Sequence, residues 1–213
     1  MMVLLVFCWI IPASASNYAI NPPPGVGMDI SYWYCNTDDV GKWVSSQIDV
    51  YVGTNSAWSA LSRSNIITYM NLAQQSWNST TGMSFTYVNN QASADLVVGG
   101  ITRVEAEQLG CTPSTLGVTF PQTTKRDVTL YYNGAEKNYY SITGCTVYLI
   151  ESAINGNALT INDYKKVAVH EAGHAFGYLG HYEGGNVMPA AFQNISSLVP
   201  NQNEYHHLKQ FYG

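Results

Sequence analysis

Charge is what this sequence has least of. Asp, Glu, Lys and Arg make up 11% of its 213 residues, and 9 basic against 14 acidic side chains leave a formal net charge of −5. So sparse a set of cations cannot build a basic nucleic-acid face or a polybasic membrane patch. Cysteine is scarce too, with four residues. Beyond the N-terminus no apolar run approaches the ~20 residues of a membrane span. No internal repeat or low-complexity segment divides the chain, whose length suits one domain with its own hydrophobic core.

The N-terminus does hold an apolar run, MMVLLVFCWII, ending in Pro12-Ala13-Ser14-Ala15, the small-x-small form of a signal-peptidase site. Residues 1–15 therefore read as a secretory signal and the protein as secreted and extracellular, with one departure: no Lys or Arg precedes Lys42. If Cys8 leaves with the signal, Cys35, Cys111 and Cys145 remain, an odd number in an oxidising compartment. The simplest outcome is one disulfide, Cys111 with Cys145, and a spare thiol at Cys35. Asn78-Ser79-Thr80 and Asn194-Ile195-Ser196 have the form of glycosylation sequons.

Residues 16–41 contain Pro22-Pro23-Pro24-Gly25 and show no periodicity, so they read as an irregular extension or short propeptide, with ordered structure expected from about Trp43. From there Ile48, Val50 and Val52 alternate with polar neighbours, the period of a half-buried strand. Ser64 precedes a helical face of Ile66, Met70, Ala73 and Trp77, which Gly82 stops. Short strand candidates follow at Phe85 to Val88, Leu96 to Val98, Leu116 to Phe120, Val128 to Tyr132 and Val147 to Ile150. A second helix, about Asp163 to Gly177, and a last one, about Asn203 to Phe211, complete an α+β chain with one mixed, twisted sheet of about five strands and about three helices.

The second helix carries HEAGHAFGYLGH, residues 170 to 181. Histidines four apart project from successive turns of one face, so His170 and His174 can converge on one cation. Glu171, the next residue round, can take a proton from a metal-bound water and pass it to a leaving amine. Gly177 lets the chain leave the helix through a conformation that other residues resist. His181 then offers a third nitrogen; Glu183 is its rival, while His206 and His207 read as surface residues of the last helix.

Together with Met188 in Asn186-Val187-Met188-Pro189, this pattern resembles the metzincin clan of zinc endopeptidases and, within it, the matrixins, whose signature is H-E-x-x-H-x-x-G-x-x-H followed by a methionine turn. His170, Glu171, His174, Gly177 and Met188 match. The family's third ligand would fall on Gly180, so His181 stands as if one residue were inserted after the turn glycine. Lys42-Trp43, the helix ending Gln75-Ser76-Trp77-Asn78, Phe85, Ala94-Asp95-Leu96 and the closing Glu204 to Gly213 follow the matrixin order, which makes 42–213 the catalytic domain with a zincin-like fold.

The resemblance implies one catalytic zinc on His170, His174 and His181, with Glu171 as base. It also implies an edge strand, Leu116-Gly117-Val118-Thr119, that pairs with an extended peptide substrate through Gly117 and Val118. Pro189 and Ala190 would form one wall of the specificity pocket, and Met188 the turn below the metal. Matrixins usually bind structural calcium, left open here because no oxygen-ligand loop is recognisable; a second, histidine-rich zinc site is not expected. Tyr34-Cys35-Asn36 lacks the family's latency motif, so Cys35 is not read as a latency thiol. The expectation is a monomeric, secreted zinc endopeptidase. The competing readings are a catalytically silent binding or surface module that keeps the zinc fold, and a zinc peptidase whose third ligand is a glutamate on a later helix; Gly177 and Met188 argue against the last.

Overall fold

The computed structural model describes residues 18–20, 30–154 and 157–212; the expected signal at 1–15, with Cys8, and much of the expected extension lie outside the described residues. In chain order the elements that build the body are β1 (Tyr18–Ile20), β2 (Asp39–Trp43), β3 (Gln47–Thr54), α1 (Arg63–Thr81), β4 (Ser84–Val88), β5 (Leu96–Ile101), α2 (Arg103–Gln108), β6 (Gly117–Tyr132), β7 (Ala135–Ile150), α3 (Ile161–Ala175) and α4 (Gln202–Tyr212).

The alternation in β3 sets its register: Ile48, Val50 and Val52 are all buried. Ser62, two residues before Ser64, caps α1 by accepting from the Asn65 N–H, and Gly82 closes the helix in the left-handed region with a φ of 65°. The buried face of α1, with Ile66, Tyr69, Met70, Ala73 and Trp77, meets α3, where Tyr69 stacks on Tyr164 and the Trp77 indole N–H donates to Val169 O at 3.0 Å. Helix α3 begins at a reciprocal cap between Thr160 and Asp163.

The sheet runs β1-β6-β7-β5-β3-β4, with β2 beside the other half of β7. Strands β2, β3, β4, β5 and β7 pair in parallel, whereas β6 and β7 form an antiparallel hairpin. The α+β architecture is as expected, with a larger sheet. The separate strands expected at 116–120 and 128–132 are one strand, because irregularities after Gln122 and Lys125 break its alternation without ending its pairing. The short α2, capped by Thr102 and Glu105, makes the motif helix third in the chain.

The outer edge of β6 is only partly paired. The Cys145 and Glu151 amides donate toward β5, and the Ile150 amide donates to Leu116 O. Odd-numbered residues of β7 therefore point at β5, and in an antiparallel ladder their partners Gly117, Thr119 and Pro121 turn their peptide groups away from β7. Strand β1 pairs only with 129–131. The stretch from Gly117 to Pro121 is thus an open edge among the described residues.

Two expectations need correction here. Cys111 and Cys145 are not bonded; Cys35, Cys111 and Cys145 are all free thiols. Cys111 packs with Ile101, Ala106 and Ile150, whereas Cys145 belongs to the main core. Ile150 lies five residues up β7 from Cys145, roughly 16 Å, and a disulfide needs Cα atoms within about 7 Å. Ordered structure also begins before Trp43: Ile30 and Trp33 are buried, and β2 starts at Asp39.

Candidate metal centre

His170 and His174 sit one turn apart on the last part of α3. The His170 Nδ1 lies 2.8 Å from Val187 O and the His174 Nδ1 2.7 Å from Tyr178 O, so in each ring Nδ1 carries the hydrogen. Both Nε2 atoms are then bare acceptors, yet they face each other at 3.1 Å. Lone pairs so placed repel unless a cation lies between them, and Zn–N bonds of about 2.0–2.1 Å in a tetrahedron bring two nitrogens to about 3.3 Å. Burial holds both rings neutral, pushing the His170 pKa down to about 4 and that of His174 well below its ordinary value.

His181 joins them after the turn. Its ring centroid lies 5.3 Å from that of His170 and 4.9 Å from that of His174, and one ligand atom from each of the three lies within 4.8 Å of the others. Glu183 is not in the cluster; it is exposed, and its carboxylate accepts from the Ala190 N–H at 3.1 Å. The donor set of three imidazoles suits zinc.

Gly177 makes the turn. Its φ is 108°, and a Cβ there would overlap the carbonyl of Gly41, whose own N–H donates to Gly177 O at 2.9 Å. The strand β2 thus runs directly under the turn.

Glu171 is buried against the open edge of the sheet. Thr119 Oγ1 donates to its Oε2 at 2.7 Å, and a Cβ on Gly117 would come within 2.7 Å of its Cγ and 2.8 Å of its Oε1. Burial raises the carboxyl to about 7, partly offset by the Thr119 hydrogen bond. A carboxylate near neutrality can both accept and return a proton.

Met188 lies beneath the helix, where its sulfur fills the space that a side chain on Gly173 would need. The turn that carries it hangs on Glu204 of α4, a buried carboxylate accepting from the N–H groups of Asn186 at 3.0 Å, Val187 at 2.8 Å, Met188 at 2.6 Å and Asn201 at 2.7 Å. Val187 in turn orients His170.

A comparison with protein families matches residues 42–213 to the Matrixin peptidase family. The chain belongs to the matrixins. No curated protein sequence matches it. The family is one of zinc metalloendopeptidases acting on peptide and protein substrates, and its zinc requirement fits the three imidazoles of this matrixin.

A cleft of about 830 Å³ joins these parts, lined among others by Gly117, Val118, Thr119, Glu171, the three histidines and Ala190. Pro189 is buried and not among its lining residues. Of the sequence-read site residues, the structure thus brings together His170, Glu171, His174, His181, Gly117, Val118 and Ala190, with Met188 behind them.

His207 departs from expectation. It is fully buried, with its ring 4.4 Å from Tyr178 and 5.1 Å from Trp33, because Glu204, His207, Leu208 and Phe211 form the core-facing stripe of α4. Thr119, Asn36 and Glu204 were not singled out in sequence. Only Glu204 had a signal, its place on that apolar stripe.

Among the described residues no helix is long and apolar enough to cross a membrane.

Proposed function

We propose that this matrixin is a secreted endopeptidase in which His170, His174 and His181 hold a catalytic zinc and Glu171 is general base, then general acid. The facing Nε2 atoms of His170 and His174, with the Glu171 carboxylate beside them, carry the reading. When bound, zinc supplies Lewis acidity, acidifying water and polarising a carbonyl. Glu171 takes the proton of the attacking water and delivers it to the leaving amine. Thr119 fixes one carboxylate oxygen, and the glycine at 117 leaves the carboxylate room.

The outward peptide groups of Gly117 and Thr119 pair with an extended substrate as an added strand. Val118 turns its own peptide groups toward β7 and packs its side chain on Ile101, Ala106 and Ile150, on the other face of the sheet, which backs the strand at the cleft. Leu116, Val167, Phe192 and Ile195 give the cleft apolar lining, together with Ala190. Secretion rests on the N-terminal signal pattern, and 42–213 is the catalytic domain in this proposal.

Metal analysis combined with cleavage of a mixed peptide library, comparing the native chain with Glu171→Ala, tests the proposal. The native protein should carry one zinc and cleave, and the variant should keep zinc and lose cleavage. Equal cleavage by both, or none by the native protein, sinks it.

A further inference from the structure

The third histidine comes one residue later than the family pattern allows, and the extra chain has to go somewhere. The polar groups of the loop from Gly177 to His181 show where. Gly177 O accepts from the Gly41 N–H at 2.9 Å, Leu179 O accepts from Thr37 Oγ1 at 3.3 Å, and the Tyr178 hydroxyl donates to Tyr34 O. His181 itself is held twice by one residue: its N–H donates to Asn36 Oδ1 at 2.7 Å, and its carbonyl accepts from the Asn36 N–H at 2.9 Å. Where the segments pass, a side chain at Gly180 would meet Asn36 Oδ1 at 2.6 Å, Cys35 Sγ at 2.7 Å and Thr37 Cγ2 at 2.7 Å.

The three rings are oriented differently. His170 and His174 are each steered by a carbonyl on Nδ1. Among the described residues no hydrogen bond steers the His181 ring, which has its contacts with the other two rings and a longer-range interaction with the Glu183 carboxylate, so its direction is set chiefly by its backbone. The two Asn36 bonds fix both peptide planes that flank the His181 Cα.

We infer that the segment 34–41 is a structural part of the metal centre and that Asn36 is the positioning residue that holds His181 toward His170 and His174, accommodating the extra residue in the loop. The inference rests on the zinc reading above. The segment ahead of the family-matched region thereby acquires a role in metal binding.

The test measures zinc affinity by chelator competition, and metal-free melting temperature alongside it, in the full chain and in Asn36→Ala, Asn36→Asp, His181→Ala and the Asn36→Ala/His181→Ala double variant. Partners that orient a metal ligand are worth roughly 10–100-fold in affinity. Asn36→Ala should lose about that much with its metal-free melting temperature nearly unchanged. Asn36→Asp, which keeps the acceptor oxygen, should recover most of it. In the double variant the loss should equal that of His181→Ala alone, since Asn36 acts through that ring. Native affinity in Asn36→Ala overturns the inference, as does an additive double variant or a loss matched by a lower metal-free melting temperature. A native chain that binds no zinc overturns the zinc reading as well, so the two failures are distinct.

Discussion

Gly177 and Gly41 cross backbone against backbone, with the Gly41 N–H donating to Gly177 O at 2.9 Å and no room for a Cβ between them. The crossing ties the turn after the metal-binding helix to the parallel strand β2. Gly177→Ala would add a methyl group in a positive-φ conformation, straight into a carbonyl. The expected cost is about 3 kcal/mol or more. A thermal melt of the metal-free variant should show it, and an unchanged melting temperature would contradict the crossing.

Thr119 donates to Glu171 and so favours the ionised carboxylate against the effect of burial. Thr119→Val removes that bond while keeping shape. The carboxyl pKa should rise, and the acid limb of the kcat/KM profile should move to higher pH, with activity near neutrality lowered roughly tenfold. A limb that stays put or moves down would show that the hydroxyl does not act on the base.

Glu204 gathers four backbone N–H groups around one buried carboxylate. Glu204→Gln is nearly isosteric, yet it turns one acceptor into a donor facing other donors. Leaving buried N–H groups unpaired costs about 1–3 kcal/mol each, so a fall in stability of about 3 kcal/mol or more is expected in urea unfolding. A loss below about 1 kcal/mol would mean that the turn does not depend on this charge.

His207 makes the fold acid-sensitive. Burial among Trp33, Tyr178 and Phe211 pushes its pKa down to about 3, below the ordinary value of 6.5. Below that ordinary value the unfolded chain takes up a proton that the folded chain refuses. Stability is therefore full above about pH 6.5 and falls toward pH 3, by at most about 1.4 kcal/mol per pH unit for this one group. His207→Gln should be less stable at pH 7 but lose less between pH 7 and pH 4.5 than the native chain. Equal losses in that interval would assign the acid sensitivity elsewhere.

Much of this was legible because it is local. Helix α3 and its ligands follow from spacing, and β3 from a period-two run whose buried members are Ile48, Val50 and Val52. Asn133-Gly134, both at positive φ, was a readable hairpin signal joining β6 to β7 that the polar run 122–127 obscured. What was not legible is long-range. Asn36 meets His181 across 145 residues, and Thr119 meets Glu171 across 52. Thr119 was legible as part of an edge strand, but nothing local in the sequence pairs either Thr119 or Asn36 with its distant partner. The disulfide failed for the same reason: an odd count of thiols says nothing about distance along a strand.

Pro121 has a consequence beyond the reaction. The edge that receives a visiting strand is also where a second copy of the sheet could add itself. Gly117 and Thr119 present N–H groups there, but Pro121 in the same outward row has none to give. The uninterrupted row beside the cleft is thus about four residues long, roughly 13 Å, enough to grip a short peptide. One imino acid breaks, next to the cleft, the run of donors that a second sheet would need to pair along this edge.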